Sequence, residues 1–467
     1  MPHHDLIIVG AGSGRSLATA DALADLDIAL VEENKFGGTC LNLGCIPTKM
    51  FVIPADRVVQ AREARALGVR FDEPQVDWRA IRDRVFGRID PIEEHHGNED
   101  EQRPHTTVYR ASARFTGDRR LALSTGQELT ADRVVIAAGS RPMTLPIPAL
   151  DRVDPASGVH TSDTVLRMDS LPPRMIVVGG GFIACELAHV FDAYGVQVTM
   201  VEMTPHLLPA EDDEVRDRIT AAFCDRMAVH VSAKVQSAQR RDGVWELAVE
   251  GPDGPVSVAA EAVLLAVGRA PNADRLDVAA GGMAVDEAGR VVVDEYQRTS
   301  AAGVWALGDV STRWPLKHVA NHEARVVAHN VAVDADLIGG EALSTDHDFV
   351  PHAVFTHPQV AAFGPTRRQL EEAGTDYVSA SQPYSAIAYG WALEDTAGLL
   401  TVYADPGSHR ILAAHCIGPQ AAAMIQPLVM AASLGLDAGT LARAQYWPHP
   451  ALTELIENAL LKLDFTG

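Results

Sequence analysis

Cysteine is scarce in this chain, with five among 467 residues and therefore an odd number. That excludes the disulfide framework that staples small secreted domains, so any close cysteine pair calls for a chemical explanation. Positive charge is also short. With 39 Lys and Arg against 62 Asp and Glu, the formal net charge is −23, and the mean field repels nucleic acid and anionic membrane surfaces. No nucleic-acid or membrane partner is expected. Long hydrophobic runs are missing too: AAAMIQPLVMAASLGL, Ala421 to Leu436, contains Gln426 and Pro427 and falls short of a membrane span. A buried helix is predicted there. The opening MPHHDLIIVGAGSG carries no basic stretch ahead of its short apolar run, unlike a signal peptide, so cytoplasmic residence with reduced thiols is the expectation.

Low-complexity segments are absent, and the 37 Gly and 27 Pro are spread along a chain that is 47% hydrophobic. A single core rarely grows beyond roughly 250 to 300 residues, so a chain of this length predicts at least two domains.

The first motif is DLIIVGAGSGRS, an apolar strand entering a Gly-rich turn at Gly10, Gly12 and Gly14. Such a turn lets backbone approach a pyrophosphate at the start of the next helix, predicted over 14–26. A second strand, IALVEE, ends at Glu32, whose carboxylate can accept from a ribose diol 22 residues after Gly10. Arg15 stands where the third glycine of this fingerprint normally lets helix and strand pack closely. The unit recurs as RMIVVGGGFIACELAHVFDAYGVQVTMVEM, with Gly179 to Gly181, a helix through Phe191 and a strand ending at Glu202. One glycine fingerprint can be an ordinary helix-capping loop; two copies with matching acids predict two bound dinucleotides.

Between them lies GGTCLNLGCIPTK, Gly37 to Lys49, with Cys40 and Cys45 five positions apart. A single helix starting near Thr39 is predicted to carry both cysteines. Its N-terminal dipole and Lys49, one turn past Cys45, favour thiolate, and distortion at Pro47 could let the pair close a disulfide. Cys185, Cys224 and Cys416 stand singly and read as inert core cysteines.

These stretches, together with VVIAAGSRP, GGGFIACE, LLAVGRAPN, VWALGDV, VFTHPQVA and HPALTE, resemble the flavin-dependent pyridine nucleotide-disulfide oxidoreductases along the whole chain. That group holds glutathione reductase, dihydrolipoamide dehydrogenase and mercuric reductase. Within it, FGRIDPI, VDEYQRTSAAGVWALGDV, LKHVANHEARVV, AYGWALEDT and QYWPHPALTELIENALL are most similar to the mycothione reductase branch. The resemblance implies an α/β fold with two Rossmann-type dinucleotide-binding domains and a C-terminal α+β dimerisation domain. FAD binding would occupy about 1–145, NAD(P)H binding 146–270, a segment completing the flavin region 271–345, and the interface domain 346–467. It also implies FAD and NADH or NADPH as cofactors and a homodimer whose active sites use both subunits.

By the same resemblance, Cys45 faces the flavin and Cys40 attacks the substrate disulfide, with Lys49 and Glu186 as an ion pair beside the flavin ring. Cofactor contacts are expected from Gly10, Gly12, Gly14, Glu32, Gly38, Thr39, Lys49, Ala113, Gly139, Asp309 and His318. Gly179, Gly181, Phe182, Ile183, Glu202, Gly268 and Arg269 complete that set. Asp309 would bond the ribityl chain, although a strand-closing aspartate is otherwise often a cap. His449, charged and oriented by Glu454, would protonate the departing thiolate. Pro450 would open a docked helix with an apolar stripe of Leu452, Leu455, Ile456, Ala459, Leu460 and Leu463. No metal site is expected.

Glu202 favours a ribose diol over a 2′-phosphate, and VEMTPHLLPAEDDEV offers only His206 against five acids, so NADH should serve at least as well as NADPH. Mycothione is the expected disulfide. Tyr389, Trp391, Tyr446 and Trp447 could supply aromatic surface for its sugars, or could be ordinary core. Lipoamide is the rival, and LLKLDFTG, which carries no cysteine pair, argues against mercuric reduction and a large thioredoxin reductase. A flavin-bound sensor or an assembly subunit would not need Cys40, Cys45, Lys49, Glu186, His449 and Glu454 together.

Overall fold

The apolar runs at the start of the chain, LIIV and IALV, are too continuously hydrophobic for a sheet with one wet face, and they form parallel strands covered on both sides. The computed structural model, which describes residues 1–466, pairs His3–Val9 with Ile28–Glu32 on one edge and with Glu128–Ile136 on the other. Thr106–Arg110 extends the sheet beyond Ile28–Glu32, and Val304–Ala306 adds in parallel to Glu128–Ile136. The antiparallel strands Arg120–Leu123 and Ala113–Gly117 complete seven. Successive side chains face opposite ways along a strand. Leu6 and Ile8 therefore enter one buried cluster with Val327 and Val331 of helix Lys317–Asp334, while Ile7 and Val9 enter another with Phe115 and Leu121.

A second parallel sheet has the order Ala228–His230, Gln197–Val201, Arg174–Val178, Ala262–Leu265, Val159–His160. The antiparallel meander Lys234–Arg241, Val244–Gly251, Gly254–Ala260 covers it through Trp245, Leu247 and Val249, which share a core with Ile176, Val201 and Val263. Toward the C-terminus a five-stranded antiparallel sheet, Val378–Pro383 to His352–Val354, is backed by Gln426–Ser433, Ala438–Arg443 and Glu454–Leu461.

The chain forms two compact units. One is Met1–Pro47, Arg82–Met143 and Gly268–His347; the other is Thr48–Ile81, Thr144–Val267 and the chain from Asp348 onward. The second parallel sheet and the C-terminal sheet thus belong to one unit.

Several predicted elements differ. The helix predicted over 14–26 is only Arg15–Ala18, followed by a 3-10 turn at Asp21–Leu23. Ser16 Oγ donates to the Ser13 carbonyl and Thr19 Oγ1 to that of Ser16, local bonds that compete with helix propagation. The cysteines do not share a helix: Gly38–Asn42 ends at Leu43, and Cys45–Glu63 begins after Gly44. Pro47 sits in the first turn of the second helix, where its missing N–H leaves no intrahelical bond unmade, so it causes no distortion. Helix Glu454–Leu461 starts four residues after Pro450, which lies in the preceding bend. Its predicted stripe, Leu452 to Leu463, is buried. The stretch over 421–436 breaks into Ala421–Met424 and Gln426–Ser433, with Met430 and Leu434 exposed. No described helix is long and apolar enough to cross a membrane.

Candidate active site

In the first unit the Gly-rich turn and the cysteine loop are built against each other. Gly10 has φ +107°, and a Cβ there would lie 2.3 Å from the Ala137 carbonyl oxygen. Gly38 has φ +64°, and its Cβ would meet Gly12 Cα at 2.7 Å. The Gly37 N–H donates to the Ala11 carbonyl at 2.9 Å, so the loop that presents Thr39 and Cys40 is stitched to the turn that would take a pyrophosphate. Gly14, not residue 15, makes the close approach: its Cβ would collide with Gly10 O at 2.5 Å and Ala137 Cβ at 2.7 Å. Arg15 instead reaches Asp100, Nε to Oδ2 2.6 Å, and Glu99, 2.7 Å. The departure from the fingerprint is therefore absorbed by an ion pair to the fully buried Asp100. Glu32 Oε2 accepts from the Ala11 N–H at 2.7 Å and Oε1 from Asn34 N–H at 2.8 Å, which holds the carboxylate across the turn.

Cys40 is half-buried, Cys45 is exposed, and both are thiols joined by a hydrogen bond. The Cys40 thiol is pushed up by that bond, by burial and by Cys45; Lys317 and the Ile46 N–H pull the other way. This reverses the expected direction for Cys40, because it ends up at the third residue of a five-residue helix beside another thiol rather than at an open helix start. Of the remaining cysteines, Cys185 and Cys416 are buried as expected, but Cys224 is exposed at the end of Asp213–Cys224.

Asp309 is not a cap. Its Oδ2 accepts from Ser140 Oγ at 2.6 Å, and Arg269 donates to the same hydroxyl at 2.8 Å and to the Ser140 carbonyl at 2.7 Å. Strands Ser140–Pro142 and Arg269–Pro271 pair beside them, after Gly139 and Gly268, both at positive φ. Ala113 is buried at the head of its strand, while His318 is exposed. Glu323 escaped the sequence reading. Fully buried, it accepts from the Gly308 N–H at 2.7 Å and contacts His347 Nε2 at 3.0 Å, fixing the turn that carries Asp309. The signal was present: Glu323 and Asn330 sit seven apart on the stripe of Val319, Val326 and Val327.

The second unit repeats the first design. Gly179, φ +117°, would place a Cβ 2.3 Å from Ala266 O, and Gly180 would meet Glu202 Oε2 at 2.8 Å. Gly181 caps helix Phe182–Ala193 with open space before it, Phe182 is exposed and Ile183 half-buried. Glu202 is buried and accepts from the Thr204 N–H at 2.6 Å. Folding changes the charge count around it. Glu211 is turned inward to His352 at 2.6 Å, and Asp212 accepts from Tyr403 OH and the Arg367 N–H. Arg216 and Arg368, distant in sequence, line a pocket with Thr204 and His206, so His206 is not the only nearby base. Lys49 Nζ meets Glu186 Oε1 at 2.6 Å, and Glu186 is buried.

His449 Nδ1 lies 2.7 Å from Glu454 Oε1, whose other oxygen accepts from the Ala451 N–H at 3.2 Å. The His449 hydrogen bond, against partial burial, holds the Glu454 carboxyl below the usual carboxylate range. With Nδ1 committed, Nε2 is the nitrogen left for chemistry, and the ring is 70% exposed. Tyr389, Trp391 and Tyr446 are exposed, whereas Trp447 packs on the core and donates to the Ala442 carbonyl.

Two dinucleotide loops, a vicinal cysteine pair and a carboxylate-held histidine define a flavoprotein disulfide reductase, and both loops fit their cofactors: glycine cradles that a Cβ would fill face carboxylates at strand ends. The chain belongs to the pyridine nucleotide-disulphide oxidoreductase family, matching it over residues 4–324 and its dimerisation domain over 350–460. It is a homologue of the mycothione reductase of Mycobacterium tuberculosis, 47% identical over 99% of this chain and 100% of that protein. The dihydrolipoyl dehydrogenase of Haloferax volcanii is 32% identical over 98% of this chain and 96% of its own. The HOCl-induced flavoprotein disulfide reductase RclA from Escherichia coli superposes with a TM-score of 0.84 at 27% identity, covering 98% and 100% of the two chains. As a member of this family the protein is a disulfide oxidoreductase using FAD and NAD(P)H.

Proposed function

We propose that the protein reduces mycothione with NADH, accepted at least as well as NADPH, through a cycling Cys40-Cys45 disulfide in a homodimer. The observation that carries this is the contact of the two cysteines with each other on a loop stitched to the first glycine turn. When bound, the flavin relays an electron pair from the nicotinamide to the cysteine disulfide. The reduced Cys40 thiolate attacks one sulfur of the substrate, forming a mixed disulfide as the first product thiol leaves. His449 Nε2–H gives that leaving sulfur its proton, and Glu454 stabilises the imidazolium before transfer. Cys45 then attacks Cys40, reforming the pair and releasing the second thiol. Exposure of His449 is consistent with a ring presented to a partner subunit's site.

NADH is supported by the buried Glu202 at the end of the second strand, whose carboxylate would accept from a ribose diol and repel a 2′-phosphate, while Arg216 is paired with Asp213. The exposed Tyr389, Trp391 and Tyr446 suit a substrate with sugar rings better than lipoamide does. The second reading, dihydrolipoamide oxidation, draws on the same Glu202 and on the likeness to dihydrolipoyl dehydrogenase. Oxidation of NADH and NADPH by the purified flavoprotein, offered mycothione, lipoamide or glutathione disulfide, separates them. Turnover confined to lipoamide would overturn the mycothione reading.

A further inference from the structure

We propose that Arg15 is a positioning residue for the flavin: its ion pair with Asp100 clamps the first glycine turn, and the loop leading to Cys40, onto one face of helix Trp78–Gln102. The clamp matters to function on the reading that this turn holds the flavin's pyrophosphate. Along that helix Asp90, Glu93, Gly97 and Asp100 recur at intervals of three and four, so they share one face. Each meets one of the two segments. Lys35 Nζ donates to Asp90 Oδ1 at 3.1 Å, and the Phe36 N–H donates to Glu93 Oε1 at 3.2 Å. A Cβ on Gly97 would lie 3.3 Å from the ring of the fully buried Phe36, which precedes the Gly37 that bonds Ala11. Asp100, also fully buried, accepts from Arg15 Nε, and Glu99 accepts from Arg15 Nη2 and, at 3.2 Å, from Arg103.

Helix Arg15–Ala18, which follows the turn, has four residues, too few to sustain itself, and Gly14 at its start supplies no side-chain cap. Glu32 holds the Ala11 N–H, so Arg15 secures the far end of the turn. Asp100 has no second cation in hydrogen-bond range. Arg103 Nε stands 3.9 Å from Asp100 Oδ1, and neither atom has a hydrogen-bond partner among the described residues. Removing Arg15 therefore leaves a buried carboxylate without its charge partner, which costs more than the backbone freedom of a glycine returns. The fingerprint glycine should thus hold flavin less well than the arginine standing in its place.

The test is FAD release from the diluted holoenzyme, followed as the gain in free-flavin fluorescence, beside far-UV circular dichroism of the same samples. Arg15→Gly, which restores the fingerprint, should release FAD about tenfold faster and Asp100→Asn nearly as fast, while Arg15→Lys, which keeps a cation, stays nearer the parent. In Arg15→Gly/Asp100→Asn the second change should add little, because the clamp is already open; fully additive effects overturn it. If Arg15→Gly does not fold, the milder Asp100→Asn and Arg15→Lys carry the test. Unchanged or slower release from Arg15→Gly, or from Asp100→Asn where that is the variant read, overturns the proposal. Release that quickens only in step with loss of helical signal also overturns it, since a purely structural pair would give that. Glu32→Ala removes the carboxylate that holds the same turn at Ala11. Unmoved release there overturns the placing of flavin on this turn, whereas faster release there with none from the Arg15 variants overturns the clamp alone.

Discussion

Glu186 Oε1 accepts at once from Lys49 Nζ, 2.6 Å, and from the Phe355 backbone N–H, 2.9 Å, while the same ammonium lies 4.1 Å above the Phe355 ring. A buried carboxylate is thus held by one side chain and one fixed amide. Lys49→Met leaves it without its cation and should cost about 2–3 kcal/mol, toward the low end for a buried pair because Lys49 is partly exposed. Glu186→Gln keeps the Phe355 bond and should cost less. Urea denaturation of both variants checks the order; equal losses would show that leaving the Glu186 carboxylate without its cation carries no cost beyond loss of the pair itself.

Glu202→Ala should lower kcat/KM for NADH by roughly ten- to a hundredfold, the value of one or two hydrogen bonds to a charged group. For NADPH the loss should be small or reversed. Steady-state kinetics with both nucleotides decides it, and a parallel fall would mean that Glu202 only shapes its loop through Thr204.

His449→Gln should reduce disulfide turnover by about 100- to 10,000-fold, the usual range for a general acid, while electron transfer from NAD(P)H to an artificial quinone acceptor persists. The carboxyl of Glu454 is depressed in the folded state, so its stabilising contribution is present above the unfolded value and is lost as pH falls through the folded one. Acid should therefore loosen the His449 site only below the ordinary carboxylate range. In Glu454→Gln the fall in stability below the ordinary carboxylate range should be smaller, because other depressed carboxyls such as Glu261 and Asp274 remain; an unchanged fall would show that Glu454 contributes nothing to it.

Glu323→Ala strips partners from the Gly308 N–H and from His347 and should destabilise by about 2–4 kcal/mol, summing two unsatisfied polar groups. Flavin retention during dialysis should fall with it, since the turn holding Asp309 loses its anchor. Unchanged retention would confine Glu323 to a packing role.

Burial pushes the Cys416 thiol up to about 12, and Cys185 is raised by the same cause. Both are also closed to solvent, so in the native reduced protein mass-resolved alkylation should mark the exposed Cys45 far ahead of them. Early labelling of Cys185 or Cys416 would contradict the packed core described for them.

Much of the site was legible because its signals are local. Glycines at positive φ, a carboxylate at a strand end and cysteines five apart each declare themselves within one short segment, and Gly10, Gly179, Glu32 and Glu202 lie where the pattern puts them. Element boundaries were less legible. Gly44 and the Ser16 and Thr19 hydroxyls break helices that periodicity alone would continue.

The sequence by itself determined which side chains could do chemistry: two dinucleotide turns, a thiol pair and a histidine with its acid. Tertiary structure decided what surrounds them. It turned Glu211 and Asp212 inward, brought Arg216 and Arg368 together and buried Glu323 under Gly308. Glu211 and Asp212 find partners 141 and 191 positions away, where charge and burial act through space, so no pattern along the chain encodes them; Glu323, on an apolar helix stripe, is the exception.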